Sequence, residues 1–98
     1  MEIEFKNDDL DRLEQDPKFT AGFDKAIVRA YRKLMQLIRA ARDERDLYAM
    51  RGARFKKLQG GRSHQHSLRL NDEMRLIVEI KSSTPKNIIL IVSIEDYH

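Results

Sequence analysis

The apolar residues of this 98-residue chain repeat with one period before Gly52 and another after it. Ile27, Ala30, Tyr31, Leu34, Leu37, Ile38 and Ala41 recur at spacings of three and four, which gathers them into one stripe of an α-helix. Asp24 stands where its carboxylate can accept hydrogen bonds from the first-turn N–H groups. Arg29, Arg32, Lys33, Gln36 and Arg39 occupy the other side, and cations gather towards the end, as the helix dipole favours. Beyond Gly52 the period falls to two. His64 to Leu70 reads as a strand with His66, Leu68 and Leu70 on one face, and Met74 to Ile80 as its partner across a tight Asn71-Asp72 turn. The near-continuous apolar run from Asn87 to Ile94 suits a strand buried on both faces. Helices followed by such strands predict an α+β fold, with N-terminal helices packed on a mainly antiparallel four- to five-stranded sheet.

Weaker signals fill the gaps. Glu2 to Phe5 alternates and suits a first strand. Asn7 or Asp8 can cap a short helix carrying Leu10 and Leu13, which Pro17 ends. A helical turn over Leu47 to Met50 stops at Gly52. Phe55 to Leu58 suits a short strand before the Gly60-Gly61 turn, and Pro85 marks the turn between the last two strands. No linker, repeat or low-complexity segment divides residues 1–98, so one domain is expected.

Charge is uneven along the chain. Residues 51–75 hold seven Lys/Arg against two acids, a net of +5, whereas residues 1–50 and 76–98 each carry a net of −1. Such a local excess makes either a solvated loop or a surface that neutralises phosphates. The absence of cysteine removes disulfides and thiolate metal ligands. No apolar run approaches the ~18 residues of a membrane span, and Met1-Glu2-Ile3-Glu4 lacks a signal-peptide pattern, so a cytoplasmic protein without membrane partners is expected.

Three sets of residues could carry chemistry. Asp96, Tyr97 and His98 place a carboxylate, a phenol and an imidazole after the last strand. Metal-independent RNA cleavage needs a base for the 2′-OH, cations for the phosphate and an acid for the 5′-oxygen, and an imidazole titrates in the right range for proton transfer. The same three residues could equally be an idle chain end. Arg75 opens a strand, where an arginine can form an ion pair or clamp a phosphate with two parallel bonds. Arg62, Lys56, Lys57 and Arg54 surround the glycine turn and serve either phosphate binding or solubility. His64 and His66 share a strand face, but two imidazoles fall short of the four ligands that zinc usually takes; no metal or other cofactor is expected.

Residues 55–70, FKKLQGGRSHQHSLRL, resemble the L-H-P-L-K-G-D-R-x-G-x-W-S-I-R-V segment of HigB-like toxins in the RelE/ParE superfamily. Residues 71–78, NDEMRLIV, are similar to the following x-x-x-W-R-L-x-F strand, and the closing EDYH is similar to that family's terminus. The resemblance implies a toxin of a type II toxin–antitoxin system that cleaves messenger RNA in the ribosomal A site. It also implies a HigA-like helix-turn-helix antitoxin that supplies the operator contact, since no helix-turn-helix signature is visible here. By position, Asp96, Tyr97, His98 and Arg75 match the family's catalytic set. Arg62 matches a phosphate-binding residue, with Lys57, Arg54 and His66 around it. Lys56 stands where the family has a catalytic histidine, and His66 and Met74 stand where it has tryptophans. The resemblance also admits a non-catalytic toxin that blocks the ribosome or DNA gyrase.

Overall fold

The computed structural model describes residues 1–96. Strand β1 (Glu2–Phe5) leads to helices α1 (Asp8–Gln15), α2 (Lys25–Ala40) and α3 (Glu44–Ala49), and then to strands β2 (Lys56–Lys57), β3 (His66–Arg69), β4 (Met74–Lys81) and β5 (Ile88–Asp96). The five strands form one sheet in the order β1-β5-β4-β3-β2. The β2–β3, β3–β4 and β4–β5 pairs are antiparallel, and β1 pairs parallel with β5. The sheet is thus mixed, with the first strand beside the last, and the fold is α+β.

Each helix begins where a short polar side chain can replace a missing backbone partner. Asn7 accepts from the Leu10 N–H at 3.1 Å, Asp24 from the Ile27 N–H at 3.0 Å, and Asp43 from the Arg45 N–H at 2.9 Å. Asp8, Asp9 and Asp11 add negative charge to the first turn of α1, where the helix dipole stabilises it. The expected turn at residues 47–50 is the end of α3, which starts earlier because Asp43 caps it.

Helix α2 buries Ile27, Val28, Tyr31, Leu34, Met35 and Ile38. Leu37, expected in the stripe, is 42% exposed. The helix is rotated towards α1, so Val28 and Met35 take its place and Leu37 is left on the rim of a groove with Met50 and Leu70. Two side chains set that rotation. The fully buried Tyr31 donates its hydroxyl to the Leu10 carbonyl at 2.7 Å. Arg32 donates to the carbonyls of Leu13 at 3.0 Å, Asp16 at 2.8 Å and Phe19 at 3.1 Å. These carbonyls lie at the end of α1 and in the loop that follows it, where helical partners run out.

The helices cover one face of the sheet. On that face lie Ile3, Phe5, Leu68, Leu76, Val78, Ile80, Ile89 and Ile91, which join the core with Leu10, Leu13, Tyr31 and Met35. Strand β5 therefore differs from the expected strand buried on both faces. Ile89 and Ile91 are buried, whereas Ile88 and Leu90, on the other face, are half-exposed. Strand β3 also starts at His66 rather than His64, because residues 62–65 close a turn in which the Gln65 N–H donates to the Arg62 carbonyl at 2.9 Å.

One irregularity redirects the end of β5. Ile77 pairs with Ser93 but Val78 pairs with Ile91, so Val92 is an extra residue with no opposite number on β4. A bulge of this kind shifts the alternation by one. Before it the odd-numbered residues face the helices; after it Ile94 does, and Glu95 turns to the uncovered face. Replacing Tyr31 by Phe removes one buried hydrogen bond and should cost about 1–2 kcal/mol. At roughly 4–8 °C per kcal/mol for a domain of this size, a calorimetric scan should register a clearly lower Tm.

Candidate active site

The uncovered face is built in rows across the strands. Lys56 lies opposite Ser67, Ser67 opposite Ile77, and Ile77 opposite Ser93. The next row runs Arg69, Arg75, Glu95. Leu58, Gln59, Arg62, Ser67, Arg75, Ile77, Glu95 and Asp96 enclose a shallow pocket of about 270 Å³ on this face. The pocket forms because β3 and β4 carry small or apolar side chains, Ser67 and Ile77, between longer polar ones.

Arg62 spans the pocket. It projects from the turn before β3, and its guanidinium reaches Glu95 on β5 through two bonds of 2.9 and 3.0 Å. Such a planar fork on a carboxylate is among the stronger polar contacts proteins make. Its Nε donates to the Gln65 Oε1 at 2.9 Å, and the Gln65 amide donates to Glu79 at 3.1 Å. The Ser93 hydroxyl donates to Glu95 at 2.7 Å. Arg62 first, and then Ser93, hold the Glu95 carboxyl below its usual range, while Glu95 raises the Arg62 pKa. A face that can seat an anionic carboxylate in this way has the donors to seat a phosphate.

Arg75 is almost wholly buried, 8% exposed, which is unusual for a guanidinium and points to a fixed rather than a solvating role. Arg69 reaches Asp72 in the β3–β4 turn. Among the residues singled out from the sequence, Arg62, Arg75 and Asp96 meet in the pocket, and Lys56 adjoins it as the cross-strand neighbour of Ser67. Tyr97 and His98 lie outside the described residues. Lys57 pairs with His66 and so stands on the other face of the edge strand. Arg54 is exposed, with φ of 47°, at the end of a short 3-10 turn, and does not line the pocket. Sequence reasoning did not find Ser67, Gln65, Ile77 or Glu95. The period-two alternation could have placed Ser67 and Gln65 on the face opposite Leu68. Glu95 could not have been placed, because the bulge at Val92 reverses its side.

His66 stands apart from that pocket. It belongs to the helix-covered side of β3, where its ring stacks on Phe55 with centroids 4.6 Å apart and planes 7° apart. Its Nε2 lies 3.3 Å from the Tyr48 hydroxyl, and its buried Nδ1 has no hydrogen-bond partner among the described residues. The expected grouping of His66 with the phosphate-binding cations is therefore not what the fold brings together: the side chain fills the aromatic position of the resembling motif as a packing ring. Burial, and secondarily Lys57, lower its pKa below the usual 6.5. A histidine depressed in the folded state binds its proton more readily when unfolded, so stability falls as pH drops through the unfolded value. Between pH 7.5 and pH 5, denaturant titration of the wild type should lose stability more steeply than His66→Phe; parallel curves would remove His66 as a source of the dependence.

Among the described residues, no three His, Cys, Asp or Glu side chains are grouped so as to hold a metal ion, and no helix is long and apolar enough to cross a membrane. The chain has the same overall fold as a YoeB/ParE toxin from Agrobacterium tumefaciens, with a TM-score of 0.61 and 15% identity over 100% of both chains. No curated protein is similar enough in sequence to match. The sequence family described as the RelE-like toxin of type II toxin–antitoxin system HigB matches residues 3–98. With a match spanning nearly the whole length, the chain belongs to the HigB-like family of RelE-type toxins, whose members function in type II toxin–antitoxin systems.

Proposed function

We propose that this toxin is a metal-independent endoribonuclease that cleaves messenger RNA on the ribosome and so arrests translation. The observation that carries the reading is the convergence of Arg62, Arg75 and Asp96 in one pocket on the uncovered sheet face, with Lys56 beside it. In the proposed reaction the 2′-oxygen of one nucleotide attacks the adjoining phosphorus, the 5′-oxygen leaves, and a 2′,3′-cyclic phosphate forms. The 2′-OH gives its proton to a base, and the leaving 5′-oxygen takes one from an acid. Negative charge grows on the phosphate oxygens as this happens, so fixed cations that bind them act most strongly in the transition state.

Arg75 and Arg62 take that charge-binding role, and Lys56 supports them from the edge strand. A lysine at the position of the family's histidine carries an ammonium, which suits charge stabilisation better than proton abstraction. Proton transfer is assigned to His98, with Asp96 orienting its ring and Tyr97 stacking on a base or sharing the relay. These last two assignments rest on the resemblance of the terminal residues.

Membership of a toxin–antitoxin family implies an antitoxin partner. We infer a HigA-like helix-turn-helix protein, through which the complex contacts operator DNA, and a cytoplasmic setting on the ribosome.

The test is purified toxin added to ribosomes translating a defined messenger, read by primer extension. Discrete breaks at the A-site codon are expected. Stalled ribosomes on intact messenger would instead identify a blocking toxin, and lost supercoiling with normal translation would identify a gyrase poison. Arg62→Ala should slow cleavage by about 100-fold with little change in Tm, because a half-exposed ion pair contributes little to folding. A His98→Ala protein that cuts as fast as the parent would take His98 out of the mechanism.

A further inference from the structure

The hydroxyl of Ser67 is an unexplained group. Ser67 is 0% exposed, and its Oγ makes no hydrogen bond among the described residues. A buried hydroxyl without a partner is destabilising relative to a bonded one, and in strands a serine can usually turn to a carbonyl or to water. Here the hydroxyl lies on the floor of the pocket between Lys56 on one side and Ile77 on the other, with Arg75 lining the same depression.

What lies across that floor matters. Arg62 comes from the turn between β2 and β3, and Glu95 sits on β5. Two strands, β3 and β4, separate them in the sheet. The Arg62–Glu95 pair therefore runs over the strands that carry Ser67 and Ile77, as a strap tied at its far end by a carboxylate. Both ends of the strap are half-exposed, with 47% and 39% of the side-chain surface open, so it can exchange partners with an incoming anion. A phosphate presents the same planar pair of acceptors to a guanidinium that Glu95 does.

We infer that Ser67 is a further substrate-contact residue of this site: when a phosphodiester replaces Glu95 on Arg62, the strap lifts and the Ser67 hydroxyl donates to a non-bridging phosphate oxygen. The hydroxyl is held on β3, a strand paired on both sides, so its bond forms without reorganising the backbone. The partner it lacks among the described residues is the oxygen of the bound substrate. The inference rests on the endoribonuclease reading and adds a neutral donor to its cations.

Ser67→Ala separates this role from a structural one. Removing a hydroxyl that has no partner among the described residues should leave Tm unchanged or slightly raised, while the single-turnover rate of messenger cleavage at saturating toxin falls by about 10-fold or more, the size expected for one hydrogen bond to a charged group. Affinity for ribosomes programmed with a messenger carrying a 2′-deoxynucleotide at the cleavage position should fall by less than the rate does. Wild-type cleavage with an equal rate for Ser67→Ala overturns the inference and leaves the nuclease reading standing. A clear drop in Tm also overturns it, because the hydroxyl would then be a folding contact. A wild-type protein that leaves messenger intact overturns the nuclease reading, and the role of Ser67 with it.

Discussion

The structure depends on one-sided burial of the sheet. Helix α2 carries a single apolar stripe, and only one face of a five-stranded sheet can be covered by it and α1. Covering that face removes Leu68, Leu76, Val78, Ile89 and Ile91 from water, the main favourable term in folding a chain of this size. Apart from Lys57 and His66 at the sheet edge, the polar side chains of β2 to β4 and the end of β5 are consequently driven to the opposite face. The collection of Lys56, Arg62, Gln65, Ser67, Arg75, Glu79 and Glu95 there follows directly from the location of the core.

Concentrating charge on one surface creates its own constraint. Arg75 is nearly buried, and a guanidinium removed from water needs compensation. The bulge at Val92 turns Glu95 to the sheet face that Arg75 shares and so supplies the anchor that Arg62 grips. Without the extra residue the alternation of β5 would aim Glu95 at the helices, where an ionised carboxylate is prohibitively costly. The bulge therefore couples folding to the site: it keeps Ile94 packed on the core side and puts Glu95 on the polar rim of the other. Bulges commonly redirect side chains in this way next to active sites.

The aromatic cluster of Tyr48, Phe55 and His66 shows the same economy at the sheet edge. Strand β2 has only two residues and both are lysines, which discourages pairing with another chain. Phe55 and His66 stack beneath it, and Tyr48 closes the cluster from α3. Burial lowers the pKa of His66 and so favours the neutral ring, which packs on Phe55 as an aromatic. A motif position that holds tryptophan in the resembling family is thus filled by a different ring doing the same packing task.

Much of this was legible in the sequence by itself. The change of period at Gly52, the caps at Asn7 and Asp24, and the turn at Asn71-Asp72 depend on local backbone chemistry, which acts over a few residues and leaves its pattern in the order of the amino acids. They determined an α+β fold in which the helices precede all but the first strand, and the motif residues pointed to the toxin family. Three matters were decided only in three dimensions. Leu37 lost its place in the core to Val28 and Met35 because α1 docks on that flank of α2. His66 went to the packed face and Ser67 to the open one, a division that the alternation implies but that has meaning only once one face is known to be covered. Glu95 joined the pocket because of a single unpaired residue in β5. Register and face are set by pairing between strands distant in the chain, and no local signal encodes them.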